Sequence, residues 1–464
     1  MRGLDERRYG FSSVCGRRAA AVLAPTLWAF SLGCGDAGPS AAPSVTYYQD
    51  VAPVLAAKCG GCHVSGGIGP FALDRFESAA PMAGAIADAV AAGRMPPWGA
   101  EESEGCTPRV PWKDDARVSE ADKQLLAAWA DQGAPEGDPT TATELPASPV
   151  LDLEDPTMEL FPSESYTPTV GGDVFMCYSF DPGLTATKWL TGLQVVPGDL
   201  AVVHHVLVSI DSTGATADET GWYACSGGGL GGGDQLIGAW GPGGGPLLTP
   251  EGTGTPLVAG VRIVMQVHYH PANDNFGPDS TGFTLRLQDS APARTALVTL
   301  IGNASSAAEG LLPGEGDGSA PVFKIPADTA GHVESMEFVV PEGGPYSLFQ
   351  VGTHMHYVGV DMLAEVQHAA PQGDEPETEC LVQTPHWDFN WQRTYVYDAE
   401  IDALPQIRGG DTIRLRCTYD NVLTNPGVLQ ALEDAGRSET SVVRLGETTL
   451  DEMCLLSAGL VLPQ

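Results

Sequence analysis

A small all-α unit followed by two antiparallel, jelly-roll-like β-sandwiches is the fold class that this sequence predicts, on three observations. The chain runs to 464 residues with 43% hydrophobic composition, too long for one compact domain and apolar enough for two or three cores. Helix signals collect between about Val45 and Asp138. Beyond residue 160 the pattern changes to short alternating apolar segments separated by Gly and Pro, as in Leu200 to Ile210, Val261 to His270, Ser347 to Val366 and Thr412 to Tyr419. About three hundred residues exceed the usual size of one sandwich. The expected units are therefore a leader over 1–34, a helical unit over 45–138, a linker over 139–159, and sandwiches over 160–320 and 321–464. A formal charge of -36 excludes the basic footprint that nucleic acid requires and reads as a well-solvated surface.

In the leader, Arg17 and Arg18 precede an apolar run from Ala19 to Leu32, too short to span a bilayer but suited to an export signal. The run ends in Leu32-Gly33-Cys34, which resembles a bacterial lipoprotein cleavage site, although Ser31 stands where that pattern usually has Leu. An exported protein is expected, periplasmic or held at the outer membrane by a lipid on Cys34; a cleaved signal with an incidental cysteine is the alternative. Residues 35–44 have the composition of a tether.

The helical unit carries Cys59-Gly60-Gly61-Cys62-His63. Cys-x-x-Cys-His lets two thiols add to the vinyl groups of haem while the adjacent imidazole reaches the iron. A redox disulfide is the competing use of Cys59 and Cys62; His63 and the helix-like Val51 to Lys58 favour haem. The sixth ligand is expected from Met95, in Arg94-Met95-Pro96-Pro97-Trp98, with Met82 as the alternative. The Met-Pro-Pro-Trp run is similar to the distal-methionine loop of many c-type cytochromes, in which prolines stiffen the loop that presents sulfur to iron. His/Met ligation raises the haem potential and suits an electron relay, although a unit that keeps haem without coupling to catalysis fits the same motif. The last helix is expected to start at the Ser119 N-cap, with Asp122 at N3 and Leu125, Leu126 and Trp129 at core spacing, and to stop near Gly133.

In the β region, the Gly-rich stretch from Ser226 to Gly245 reads as a long surface loop, with no phosphate-binding pattern between strand and helix. His354 and His356 stand two apart on an expected strand, so both imidazoles project from one face and can share an ion. His204 and His205 are neighbours, which a regular strand sends to opposite faces. They serve one metal only where the strand ends, bulges, or uses different ring nitrogens. Either pattern alone is weak, and Met453 alone reads as core packing. Of the ten cysteines, Cys15 and Cys34 fall in the leader and Cys59 and Cys62 in the haem motif, leaving six for an oxidising compartment to pair in an unspecified order.

Taken together, Val203-His204-His205-Val206-Leu207, Gln266-Val267-His268-Tyr269-His270, Thr353-His354-Met355-His356 and Glu452-Met453-Cys454 occur in an order that resembles the copper type II, ascorbate-dependent monooxygenases, the family of dopamine beta-hydroxylase and peptidylglycine alpha-hydroxylating monooxygenase. Trp387-Asp388-Phe389-Asn390-Trp391-Gln392 and Cys417-Thr418-Tyr419 are similar to stretches of that family's second half. The resemblance runs from about Leu160 to the C-terminus. It implies an electron-storing copper on His204, His205 and His268, and a second copper, where oxygen and substrate meet, on His354, His356 and Met453. It also implies disulfides Cys177 to Cys225 and Cys417 to Cys454, leaving Cys106 and Cys380 unassigned. Thioether is a soft ligand that favours Cu(I), whereas three imidazoles accept either oxidation state. His270 shares a face with His268 as a spare or supporting group, and His332, His368 and His386 read as surface or hydrogen-bonded residues.

The peptide-hydroxylating branch of that family binds a substrate carboxylate through an Arg, an Asn and a Tyr, where this chain has Gly352, Leu455 and Ser457. None of these makes a charge-assisted pair. The expected activity is hydroxylation of a C–H bond of a small organic substrate with O2. Two copper ions and one covalent c-type haem serve it, and electrons come from an ascorbate-like reductant or redox protein, from the haem, or from both, with the haem feeding the His204 site. The rival is a non-enzymatic copper-binding or electron-transfer lipoprotein.

Overall fold

The computed structural model describes residues 44–464 apart from 66–68, 147–151, 169–172, 201, 226–229, 271–276, 304–309, 315–316 and 319. The leader, with Cys15, Cys34 and the expected lipid anchor, lies outside the described residues. No helix among the described residues is long and apolar enough to cross a membrane.

The molecule is mostly β-sheet. Helices Ala52–Lys58, Ala83–Ala91 and Glu120–Asp131 pack around Tyr47, Val51, Leu55, Leu126 and Trp129. Ser119 caps the last of them, its Oγ accepting the Asp122 N–H at 3.1 Å and so satisfying one of the free donors of the first turn.

The N-terminal β half has a five-stranded antiparallel sheet. Its order is Trp222–Ala224, Val174–Phe180, Arg262–Tyr269, Val203–Asp211, Gln235–Trp240. The C-terminal half has a four-stranded one, ordered Thr329–Val339, Thr412–Asn421, Gly359–Gln367, Thr378–Thr384. Burial alternates along Thr412–Asn421, so Ile413, Leu415, Cys417 and Tyr419 form one inward face. A ten-stranded sheet runs behind both halves and supplies the second layer of each. Its continuity rests on Arg294–Asn303, which lies beside Thr253–Gly254 on one edge and pairs antiparallel with Cys454–Val461 on the other. The boundary expected at 321 therefore falls after the strand that joins the two halves.

Two expectations are corrected. The Gly-rich stretch holds a strand, Gln235–Trp240, paired with Val203–Asp211. Leu236, Ile237 and Trp240 give it a buried face, and Gly238 lets Leu193 and Leu247 come closer than a side chain there would permit. Residues 98–113, inside the span expected for the helical unit, instead join the C-terminal core through Trp98, Ala100, Val110 and Trp112. Lys113 N–H donates to Val396 O and Asp398 N–H to Pro111 O, both at 2.8 Å. Cys106 and Cys380, unassigned on sequence, are bonded to each other and fasten this segment to Thr378–Thr384. Cys177 is bonded to Cys225 and Cys417 to Cys454.

Candidate metal centre

The first set of donors grows from two adjacent strands. Val203 pairs with Tyr269 and His205 with His268, leaving a bulge at His204 that turns two consecutive imidazoles toward one point. His204 Nδ1 and His205 Nδ1 lie 3.1 Å apart, and His268 Nδ1 lies 3.4 Å from His205 Nδ1. Asp173 Oδ1 accepts the Nε2 proton of His268 at 2.8 Å, so that ring turns its lone pair on Nδ1 inward. Ring stacking fixes the planes: His204 on Phe389 at 4.2 Å and His268 on Phe175 at 4.3 Å. At these distances each contact is either an N–H donated to a neighbouring ring's lone pair or two lone pairs facing one ion, and the three nitrogens lie close enough together to hold a metal. Burial holds His204 and His205 well below the ordinary histidine range, and the neighbouring imidazoles push the same way. Burial also lowers His268, against the pull of Asp173. All three are thus neutral at physiological pH, the form that ligates metal.

The second set uses the other ring nitrogen. His354 ends the strand Tyr346–His354, and its Nδ1–H donates to Gln392 Oε1 at 2.7 Å. The Gln392 amide is oriented in turn by its own Nε2–H donating to Phe389 O at 3.0 Å. His356 Nδ1–H donates to the Asp451 carbonyl at 3.1 Å. Both rings therefore keep Nε2 for a metal, with centroids 5.2 Å apart. His356 lies beyond the strand's end, so strand alternation does not place it, contrary to the sequence reading. The buried carboxylate of Glu452 does. Its Oε2 accepts the N–H groups of His356 at 2.8 Å and Met453 at 2.9 Å, and its Oε1 those of Val358 and Gly359. Burial pushes the Glu452 carboxyl up to about 8, while the four N–H donors favour its charged form. Burial drops His354 to about 4 and His356 to about 3, keeping both neutral. Met453 immediately precedes Cys454–Val461, whose Leu455 is registered opposite His354. Its backbone carbonyl accepts the Tyr419 hydroxyl at 2.9 Å, and its neighbour Cys454 is crosslinked to Cys417.

The two sets face each other. The rings of His205 and His354 are 6.0 Å apart, and one cavity of about 190 Å³ is lined by His205, His268, His354, His356 and Met453. Its remaining wall is largely apolar, with Trp240, Leu247 and Leu455 beside the polar Gln392, Arg393 and Thr394. Within the Trp387–Gln392 run, three side chains serve the site: Trp387 Nε1–H donates to His356 O, Phe389 covers His204, and Gln392 holds His354.

In the helical unit, Cys59 and Cys62 are half-buried free thiols. Burial raises Cys59 to about 11 with help from Cys62, and it raises Cys62 against the positive charge of Arg393. His63 Nδ1–H donates to Phe71 O at 2.9 Å, leaving Nε2 free, and Gly69 packs so close to this ring that a side chain would collide with it. Met82 packs on the helical core, whereas Met95 follows helix Ala83–Ala91, its N–H donating to Ala89 O at 3.3 Å. Beyond Met95, Pro97 O accepts Arg393 Nη1–H at 3.0 Å, and the same guanidinium lies 5.6 Å over the Trp98 ring.

His270 is a supporting group, with Nδ1 on Asp173 at 3.1 Å and Nε2 near Tyr357 Oη at 3.3 Å and Asp434 at 3.4 Å. Burial lowers it, but Asp173 and Asp434 outweigh burial and raise it above the ordinary range. His332 pairs with Glu334, His368 lies buried between Asp411 and Glu379, and His386 is exposed. Sequence reasoning missed Asp173, Gln392 and the role of Glu452. Asp173 had no signal; Gln392 stood in the family-like run Trp387 to Gln392, and Glu452 was the acidic neighbour of Met453.

Residues 321–457 match the family model described as copper type II ascorbate-dependent monooxygenase, C-terminal domain. That stretch holds His354, His356 and Met453, and the match supports a copper-dependent oxidoreductase. No curated protein matches the chain. Two solved structures share a faint likeness. The N-terminal CBM22-1-CBM22-2 tandem domain from Paenibacillus barcinonensis Xyn10C is 10% identical over 63% of this chain and 79% of that one, with a TM-score of 0.16. The major capsid protein P2 from Bacteriophage PM2 is 8% identical over 66% of this chain and 97% of that one, with a TM-score of 0.22. Neither score is high enough to bear on fold or function.

Proposed function

We propose that the chain is an exported copper monooxygenase that hydroxylates a C–H bond of a small organic substrate. The balanced reaction is R–H + O2 + 2 e⁻ + 2 H⁺ → R–OH + H2O. The observation that carries the reading is the pair of donor sets of unequal chemistry, three imidazoles against two imidazoles and a thioether, on one cavity. His204, His205 and His268 would hold one copper through Nδ1, and His354, His356 and Met453 the other through Nε2 and sulfur. Bound copper would supply one stored electron at each set and oxygen activation at the thioether-bearing one.

The chain's own residues do the rest. Asp173, Gln392 and the Asp451 carbonyl fix ring tautomers, so that the lone pairs are aimed before metal arrives. Trp240, Leu247 and Leu455 exclude water and seat an apolar substrate. The cavity volume, about 190 Å³, slightly exceeds the roughly 150 Å³ that accommodates benzene in an engineered apolar cavity. A substrate the size of one substituted ring fits. Gly352, Leu455 and Ser457 offer no charge to a peptide carboxylate.

Cys59, Cys62 and His63 would hold a covalent c-type haem, with Met95 as sixth ligand. Two free thiols beside an imidazole whose Nδ1 is already bonded support this assignment. Electrons would come from an ascorbate-like reductant or redox protein, directly or through this haem. The leader supports export, to the periplasm or to an outer-membrane anchor through Cys34.

The test is copper-loaded protein with ascorbate, ¹⁸O2 and a panel of amines, aromatics and short aliphatics. The expected result is one labelled oxygen per product. No oxygen uptake would overturn the reading in favour of a non-enzymatic electron-transfer protein, and uptake with no labelled product would overturn it in favour of oxidase leakage.

A further inference from the structure

Asp173 lines neither the cavity nor the space between the converging nitrogens, yet it touches both halves of the site. Its Oδ1 accepts from His268 Nε2 at 2.8 Å and from His270 Nδ1 at 3.1 Å. Its Oδ2 accepts the Thr449 N–H at 2.8 Å and the Thr449 hydroxyl at 2.5 Å. Thr449 belongs to the segment that also supplies the Asp451 carbonyl to His356, the Glu452 carboxylate to the His356 turn, and Met453 itself. A second link crosses through His270, whose Nε2 lies 3.3 Å from the hydroxyl of Tyr357, the residue after His356.

Asp173, His268 and His270 form a cluster that could hold an ion of its own. The hydrogen bonds argue against that use. Each ring nitrogen facing Asp173 has a carboxylate oxygen to receive its proton, so the cluster is satisfied without a cation.

We propose that Asp173 is a positioning residue that couples the two donor sets: it aims His268 with one oxygen and holds the Met453 segment with the other. The inference rests on the copper reading above. A carboxylate can do this because its two oxygens offer separate acceptor sites on opposite sides of one rigid group. The link spans 276 residues of sequence.

Asp173→Ala, the more conservative Asp173→Asn and Thr449→Val separate the two roles. The assays are copper titration of the full chain, and the C–O stretch of carbon monoxide bound to the reduced protein, which reports on the methionine-bearing site. Asp173→Ala is expected to weaken copper at the three-histidine set by about 10- to 100-fold and to shift the C–O stretch. Asp173→Asn keeps the volume and some hydrogen bonding, and is expected to fall between wild type and Asp173→Ala while melting as a folded protein. Thr449→Val removes the hydroxyl bond to Asp173 but keeps the Thr449 N–H bond and the His268 bond, and is expected to keep three-histidine affinity while moving the C–O stretch less than Asp173→Ala does. In turnover, both Asp173→Asn and Thr449→Val should lower kcat more than they change KM. If Asp173→Ala weakens the three-histidine copper but neither it nor Thr449→Val moves the C–O stretch, the coupling is overturned while the copper reading stands. A wild-type chain that takes up no copper overturns both.

Discussion

The two donor sets share one cavity but are built by opposite means. The first lies inside a sheet, where a bulge gathers His204, His205 and His268 by Nδ1 and a carboxylate backs one ring. The second lies where strands end. There a side-chain amide and a backbone carbonyl back the rings, and Glu452 and the Cys417–Cys454 bond set the position of Met453. A charged partner makes an imidazole more basic and helps hold the higher oxidation state, while neutral partners and sulfur favour the lower. If both sets hold copper as proposed, the groups behind the ligands, as much as the ligands, would bias one set toward storing an electron and the other toward oxygen.

Removing the sulfur breaks the comparison most directly. Met453→Ala is expected to cost about a thousandfold in product formation, several kcal/mol of barrier, while one copper stays on the three-histidine set, as read by metal analysis and product assay. Loss of both coppers would show that the sets are not separable. Replacing Cys417 and Cys454 together by Ser tests the support of the second set. The expected loss is about 2–5 kcal/mol of unfolding free energy, measured by denaturant titration, with lower oxygen-dependent turnover even where the protein remains folded.

Gln392→Ala sharpens the comparison at smaller scale. It frees His354 Nδ1 and should weaken copper at the second set by about tenfold to a hundredfold, with unchanged copper affinity at the first, in a titration that resolves the two. The smallest effect is expected at Asp211, which ends the strand bearing His204 and His205. Burial works against its charge, but bonds from Thr216, Thr213 and Ala215 outweigh burial and hold its carboxyl well below the usual carboxylate range. The native state therefore binds fewer protons here than the unfolded chain. The resulting stability is full above the ordinary carboxylate range and is lost as pH falls below it. Asp211→Asn should lower stability at pH 7 by about 1 kcal/mol and flatten the decline on acidification, followed by thermal melts across pH 3 to 7.

Much of this was legible in local pattern. The Ser119 cap and the alternation of Thr412–Asn421 rest on interactions within a few residues, which is what sequence displays; the His-His and His-x-His pairs were visible as donors, but a bulge against the strand of His268 turns the first and Glu452 places His356 in the second. The strand Gln235–Trp240 was hidden because glycines flank it and its pairing partner lies some thirty residues upstream. Residues 98–113 were misassigned because proximity in sequence to the helical unit says nothing of the core that buries Trp98 and Trp112. Asp173 was invisible and Gln392, though it stood in the family-like Trp387 to Gln392 run, had no role assigned, because each acts on a partner far away, 95 residues for His268 and 38 for His354.

By itself the sequence determined which donors were available and in what order: imidazoles, a thioether, paired thiols, and a β-rich chain on which to hang them. Tertiary structure alone decided which nitrogen of each ring faces the cavity, which carboxylate stands behind it, and that both donor sets share one space. Ligand identity is a property of single residues. The direction of a lone pair depends on what the other side of the ring is bonded to, and that partner arrives only when distant segments pack.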